Sequence, residues 1–188
     1  MKQCQVMNKS RFQVKQKGFT LVETIIVILI GGLILAGIAS GVNKAMGGQR
    51  SNSEISHVQS MSTAVKKIYA GRATYNGLSN TVARQMNAVP GEFFGAAAGD
   101  ITNRWGGTVT VAPVALSGIN DAGFTMTVTN VPEFECKEVI PALDSVTLSV
   151  TVGGNSVKAV NASTDISSLA TECAAGGGAN TLVYTFTR

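Results

Sequence analysis

One carboxylate, Glu23, interrupts the apolar run FTLVETIIVILIGGLILAGIASGV, Phe19–Val42, which holds no other ionisable side chain. A carboxylate there needs either the edge of an apolar phase or a partner, because in the middle of a bilayer it costs about 3 kcal/mol. Few other residues could do chemistry. His57 is the sole histidine; it falls among Ser and Gln on an expected helix and reads as a solvated or packing residue, not a base. With one histidine and few cysteines a zinc site lacks ligands. Glu133, Glu135 and Glu138 flank Cys136 and read as a solvated helix face, with a calcium site as the alternative. PGEFFGAAAGD and AAGGG lack the Gly-Lys-Ser/Thr ending of a phosphate loop. Trp105, in RWGG, reads as core or interface packing, with sugar stacking as a minority reading. No catalytic constellation assembles, so no enzyme is expected, and no cofactor or metal.

The charge distribution narrows the class further. Lys2, Lys9, Arg11, Lys15 and Lys17 give the first eighteen residues five positive charges and no acid. The chain has 15 Lys and Arg against 11 Asp and Glu, so the remainder carries ten basic residues against eleven acidic ones, a charge of −1. Basicity therefore belongs to the N-terminal tail, and no nucleic-acid surface is expected on the body, which would need clustered cations. Of three cysteines, Cys4 lies in that tail; removing it leaves Cys136 and Cys173. That parity fits one disulfide in an exported domain; the other reading is two reduced, buried thiols.

These residues must be carried by recognisable elements. As a helix, Phe19–Val42 would be about 36 Å long against a hydrocarbon core of about 30 Å, with the basic tail held in the cytoplasm. Ile55, Val58, Met61, Val65, Ile68 and Tyr69 continue at three- and four-residue spacing. One helix is therefore expected from Thr20 to Ala70, its outer half amphipathic. After it, SNTVARQMNAVP reads as a short helix and EFFGAAAGDITNRWGG as a loop. Thr108–Val114, Gly123–Val131, Ser145–Gly153 and Asn180–Thr187 alternate like half-buried antiparallel strands, with NSVKAV a shorter one. PEFECKEVIPAL and TDISSLATECAAGGG read as short helices. The expected fold class is α+β, a long N-terminal helix packed on an antiparallel sheet.

Four readings compete for the apolar run. A secretory signal would cut near Gly37-Ile38-Ala39, but the run is long for that and contains a carboxylate. A lipoprotein signal fails because Ile38 stands where cysteine is required. A plain anchor leaves Glu23 without a use. The fourth is a cut before the run, after Gly18, whose missing Cβ lets the backbone enter a tight protease cleft. Here KGFTLVE resembles the processing site of type IV prepilins: a basic leader, a glycine at the cut, an apolar first mature residue and glutamate as the fifth. NRWGGTVTV followed by GFTMTVTNVPEFECKEV also resembles the major pilins of thin, conjugation-associated type IVb pili.

That resemblance implies a leader over residues 1–18, a membrane and polymerisation half-helix over residues 19–42, and a half-helix plus globular domain over residues 43–188. It implies a type IV pilin fold whose C-terminal region is closed by the disulfide. A prepilin peptidase would cut between Gly18 and Phe19 and N-methylate Phe19. Glu23 would pair with the Phe19 amine of a neighbouring subunit and set axial register. The expected product is the major subunit of a type IVb pilus, held in the inner membrane of a Gram-negative bacterium and then polymerised into an extracellular filament. Identical subunits, an assembly platform and an ATPase are the expected partners; adhesion, aggregation or contact with a recipient cell in conjugation is the expected use. Two alternatives remain: a minor pilin or type II secretion pseudopilin, and an exported adhesin merely anchored by its stalk.

Overall fold

The computed structural model describes residue 18 and residues 20–188, apart from the side chains of residues 38–45. The chain divides into two compact units, Met1–Val42 and Asn43–Arg188. The expected leader, apart from Gly18, lies outside the described residues, as does Phe19. Among the described residues, no helix is long and apolar enough to cross a membrane. The span expected over Phe19–Val42 takes in Phe19 and side chains outside that description.

Helix α1 runs Leu21–Ile68, close to the expected bounds. Thr20 starts it: its hydroxyl accepts from the Glu23 N–H at 3.3 Å and its carbonyl from the Thr24 N–H at 3.1 Å. Lys66 and Lys67 stand in the last turn, where cations complement the helix dipole. Within the second unit, Val58, Met61 and Val65 are fully buried, so the three- and four-residue spacing does mark the core face. Helix α2, Asn80–Gln85, is capped by the Ser79 hydroxyl, which accepts from the Val82 N–H.

The sheet has six strands: β1 Ile101–Thr102, β2 Thr108–Leu116, β3 Ile119–Val131, β4 Ser149–Val152, β5 Asn155–Lys158 and β6 Asn180–Phe186. Their order is β1-β2-β3-β6-β4-β5, every pair antiparallel, so the last strand inserts between β3 and β4. Tyr184 pairs with Met126 on one side and Val150 on the other, and all three are buried. Along β6 buried and half-buried residues alternate, the signature of a sheet with one covered face. Helix α3, Glu133–Ala142, and helix α4, Ile166–Ala175, complete the domain. Asp165 caps α4 by accepting from the Ser167 and Ser168 N–H groups; the bond from the Ser168 hydroxyl first, and these backbone bonds after it, hold its carboxyl below the usual range.

Three expectations on local structure need correction. The strand expected over Ser145–Gly153 starts only at Ser149, because the Val146 and Thr147 N–H groups turn back to the Leu143 carbonyl. The strand expected from Gly123 begins at Ile119, since Ser117 and Gly118 form a two-residue hairpin turn with φ of 51° and 80°. The loop before Gly107 contains a 3-10 turn, Gly91–Phe93, and β1.

Candidate functional site

Two of the residues the sequence singles out, Gly18 and Glu23, stand at or just before the N-terminal end of α1. Gly18 is exposed, as is Glu23 in the first turn. Thr20-Leu21-Val22-Glu23 forms the hydroxyl half of a capping box, a Thr accepting from the N–H of a Glu three residues on. The spacing signals this local role for Thr20, which the sequence reading passed over. Glu23 forms no ion pair among the described residues.

Beyond Glu23 the exposed surface turns apolar. Every large hydrophobic residue from Leu21 to Leu35 is at least 49% exposed, Ile25 being the least so. Soluble monomers rarely show a contiguous apolar surface of this extent. Along residues 25–35 this helix carries apolar side chains on every side, unlike the one-sided pattern of a helix lying on a core.

In the second unit the structure joins Cys136 on α3 to Cys173 on α4, with Cα atoms 5.9 Å apart. Cys4 lies outside the described residues. Both bonded cysteines are buried, and the Asn180 amide ties the same corner by donating to the Val131 and Cys173 carbonyls. A second tie runs through Asp144. Its carboxylate accepts from the Thr164 N–H at 2.9 Å and hydroxyl at 2.6 Å, and Lys158 Nζ lies 3.2 Å away. These contacts, the Thr164 hydroxyl bond foremost, hold the Asp144 carboxyl below its usual range. Disulfide, amide and ion pair together close the C-terminal third onto the sheet.

The acidic cluster does not act as a unit. Glu133 pairs with Lys137 at 2.5 Å, Glu138 is exposed, and Glu135 is buried against Gly47, contrary to the solvated face expected for all three. Among the described residues no group of three or more His, Cys, Asp or Glu could hold a metal ion. Trp105 packs partly buried against the core.

His57 is only 3% exposed, stacked on Phe93 with centroids 3.6 Å apart and planes 3° from parallel. Beside it lies Glu54, 1% exposed, with 3.6 Å between Oε1 and His57 Nδ1. Sequence reasoning missed Glu54 because a charge breaks the apolar pattern that marks a core face. Across from them the Tyr184 hydroxyl is buried; burial first and the Glu54 charge second push its phenol well above the usual value.

Comparison with known proteins agrees with this arrangement. The family model described as "PilS N terminal" matches residues 48–187, and one described as "Prokaryotic N-terminal methylation motif" matches residues 14–39. The major structural subunit of the bundle-forming pilus of Escherichia coli O127:H6 is 29% identical over 132 residues, as is that of Escherichia coli O111:H-. Each alignment covers 70% of this chain, and the chain spans 65% of the length of those relatives. The crystal structure of a type IVb pilin from Salmonella typhi superposes with a TM-score of 0.59 at 26% identity, covering 73% of this chain and 99% of that one. The type IV pilin TcpA from Vibrio cholerae El Tor biotype shares the fold at 10% identity, with a TM-score of 0.57 over 74% of this chain and 99% of that one. The long helix, the antiparallel sheet with its inserted last strand and the bonded α3–α4 corner are a type IV pilin fold, and the chain belongs to the PilS N-terminal family.

Proposed function

We infer that the chain is a structural subunit of a type IVb pilus, and its major one, polymerising into a surface filament through the first half of α1. The observation that carries this reading is the exposed apolar helix Leu21–Leu35 with one carboxylate at its mouth, on a chain of this family. Before assembly the segment rests in the inner membrane, the five basic leader residues inside; a prepilin peptidase cuts after Gly18 and methylates Phe19. The methylation-motif match over residues 14–39 supports the site of processing.

Glu23 then has its partner. Glu23 is the fifth residue counted from the new terminus at Phe19, a separation of four residues, which a helical rise would make about 6 Å. In the bilayer that is close to the interface; in a bundle of stalks it is surrounded by apolar side chains. A buried carboxylate there is compensated only by an opposite charge, and the amine of the adjoining subunit supplies it. Register is fixed because any other axial offset leaves both charges unpaired. Identical contacts that repeat without closing give a filament. The assembly platform and ATPase are separate proteins, and the filament serves adhesion, aggregation or mating contact.

Sheared surface filaments test the reading. N-terminal sequencing and mass spectrometry are expected to give a methylated Phe19 terminus and this chain as the bulk protein. A trace quantity in filaments of another subunit would make it a minor pilin or pseudopilin instead. Correctly cut chains that stay monomeric in the membrane would make it an anchored binding module.

A further inference from the structure

The core face of α1 in the second unit is built from two unlike halves. Its first turns bury Ser51, Glu54 and His57, spaced three residues apart; the turns that follow bury Val58, Met61 and Val65, together with Ser62, whose hydroxyl donates to the Gln59 carbonyl at 2.9 Å. In the first half the Ser51 hydroxyl, both Glu54 oxygens and both His57 nitrogens are buried with no hydrogen-bond partner, as is the facing Tyr184 hydroxyl. The nearest approach, 3.6 Å between Glu54 and His57, is too long for a hydrogen bond.

The two halves respond oppositely to water. Lifting Val58, Met61 and Val65 off the sheet exposes apolar surface and gains nothing in return. Lifting Ser51, Glu54 and His57 gives every unpartnered group its hydrogen bonds back, because unsatisfied buried polar groups are the costly ones. The flanking sequence adds to the contrast. Gly47 and Gly48, poor helix formers, precede the polar half. A groove of about 470 Å³ lined by Ser53, Ser56, His57, Phe93 and Arg104 runs beside it, so the His57–Phe93 stack borders space open to solvent.

We propose that Gly47–His57 is a strap that undocks from the body of the second unit, from Phe93, Glu135 and Tyr184, ahead of Val58–Val65, while the rest of that unit stays folded. The strap is the part of the docked helix nearest the apolar segment in sequence, so a pull on that segment reaches it first. Its opening would lengthen the undocked stretch of α1 within the second unit without breaking the apolar half of the contact. Local opening of this kind, drawn from the less stable end of a fold, is an equilibrium property of the chain and does not depend on filament formation.

Thiol labelling of the full chain in detergent micelles measures it. With Cys4→Ser in place and the Cys136–Cys173 bond intact, a cysteine is introduced by S51C or by S62C, both at buried serines on α1. Each labelling rate under native conditions is taken relative to that of the same chain unfolded in urea. S51C is expected to label at least tenfold faster than S62C; equal rates, or faster labelling of S62C, overturn the proposal. Adding E54M and H57F to S51C replaces the polar cluster with apolar groups of similar size and is expected to slow labelling at least tenfold. Unchanged or faster labelling would show that the cluster holds the strap down, and would equally overturn it.

Discussion

The Thr20 hydroxyl accepts a hydrogen bond from the Glu23 N–H at 3.3 Å, so the residue proposed to set filament register also sits at the third position of its helix. Glu23 therefore has two separable roles. Its backbone N–H helps start α1, which any residue but proline at that position allows; its charge is what a neighbouring amine would require. Glu23→Gln keeps the first and deletes the second. The variant is expected to be cut after Gly18 at the normal rate, to retain wild-type helicity in micelles, and to yield no more than a tenth of the normal filament mass. Thr20→Ala is the reciprocal change: it removes the cap, worth about 1 kcal/mol, and keeps the charge, so filament yield should fall little. Immunoblots of sheared and cell-bound fractions separate the two, and a wild-type filament yield from Glu23→Gln would refute the pairing.

Cys136 and Cys173 are 37 residues apart, and closing a loop of that length restricts the unfolded chain by about 4 kcal/mol on the chain-entropy model. Because α3 and α4 carry the two ends, the loss should be concentrated in the C-terminal third. The double variant Cys136→Ser, Cys173→Ser is expected to lose about 2–4 kcal/mol in urea denaturation. It should also become sensitive to proteolysis between β4 and α4 before the rest of the domain is cut. Dithiothreitol should do the same to the wild type and nothing further to the variant.

Val58, Met61 and Val65 show how much of this fold was legible in sequence. Their spacing predicts a helix and its buried face, and all three are fully buried. Strand positions were legible where Val and Thr alternate, as at the start of β2. Boundaries were less so where a turn was set by contacts distant in sequence. Ser145–Leu148 reads as strand, yet the Leu143 carbonyl just after α3 accepts from the Val146 and Thr147 N–H groups. Ser117-Gly118 is a turn signal inside an apparent strand pair and passed unread. At the candidate site, the apolar run and its carboxylate were visible because a lone charge stands out among Ile and Leu. Glu54 was invisible for the opposite reason: between Ser and Ile on an amphipathic helix, a glutamate looks like surface.

Asp144 makes the domain acid-sensitive with a sign that can be worked out. The bonds from Thr164 and the Lys158 charge favour its ionised form, so its folded value lies below the ordinary 3.8. A carboxyl depressed on folding contributes stability that is fully present above the unfolded value and is lost as pH falls through the folded one. Asp144→Asn should therefore cost stability at pH 7, where it also leaves buried Lys158 without its counter-charge. The difference between wild type and variant should shrink below pH 4 and vanish once both forms are neutral at that position. Urea denaturation at a series of pH values reads it directly; a difference constant down to pH 2 would show that Asp144 contributes through packing alone.

Gly107 marks the tightest approach in the turn that precedes β2. A Cβ there would stand 2.0 Å from the Thr129 carbonyl oxygen and 2.8 Å from the Asn130 Cβ, and the nearest obstacle is backbone that cannot swing aside. The turn is also held from three directions. The Asn103 carbonyl oxygen of the side chain accepts from the Trp105 and Gly107 N–H groups, its amide donates to the Thr129 carbonyl, and the Asn130 amide donates to the Trp105 carbonyl. Relief by moving the turn away from β3 would break several of these bonds together. Gly107→Ala is expected to cost at least about 2 kcal/mol, in the upper part of the roughly 1–3 kcal/mol range for overpacking. Gly106→Ala, strained only by its φ of 75° with nothing within 4 Å of the new Cβ, should cost less. Thermal denaturation of the two variants side by side gives the order, and the reverse order would show that the β3 backbone yields to the added methyl.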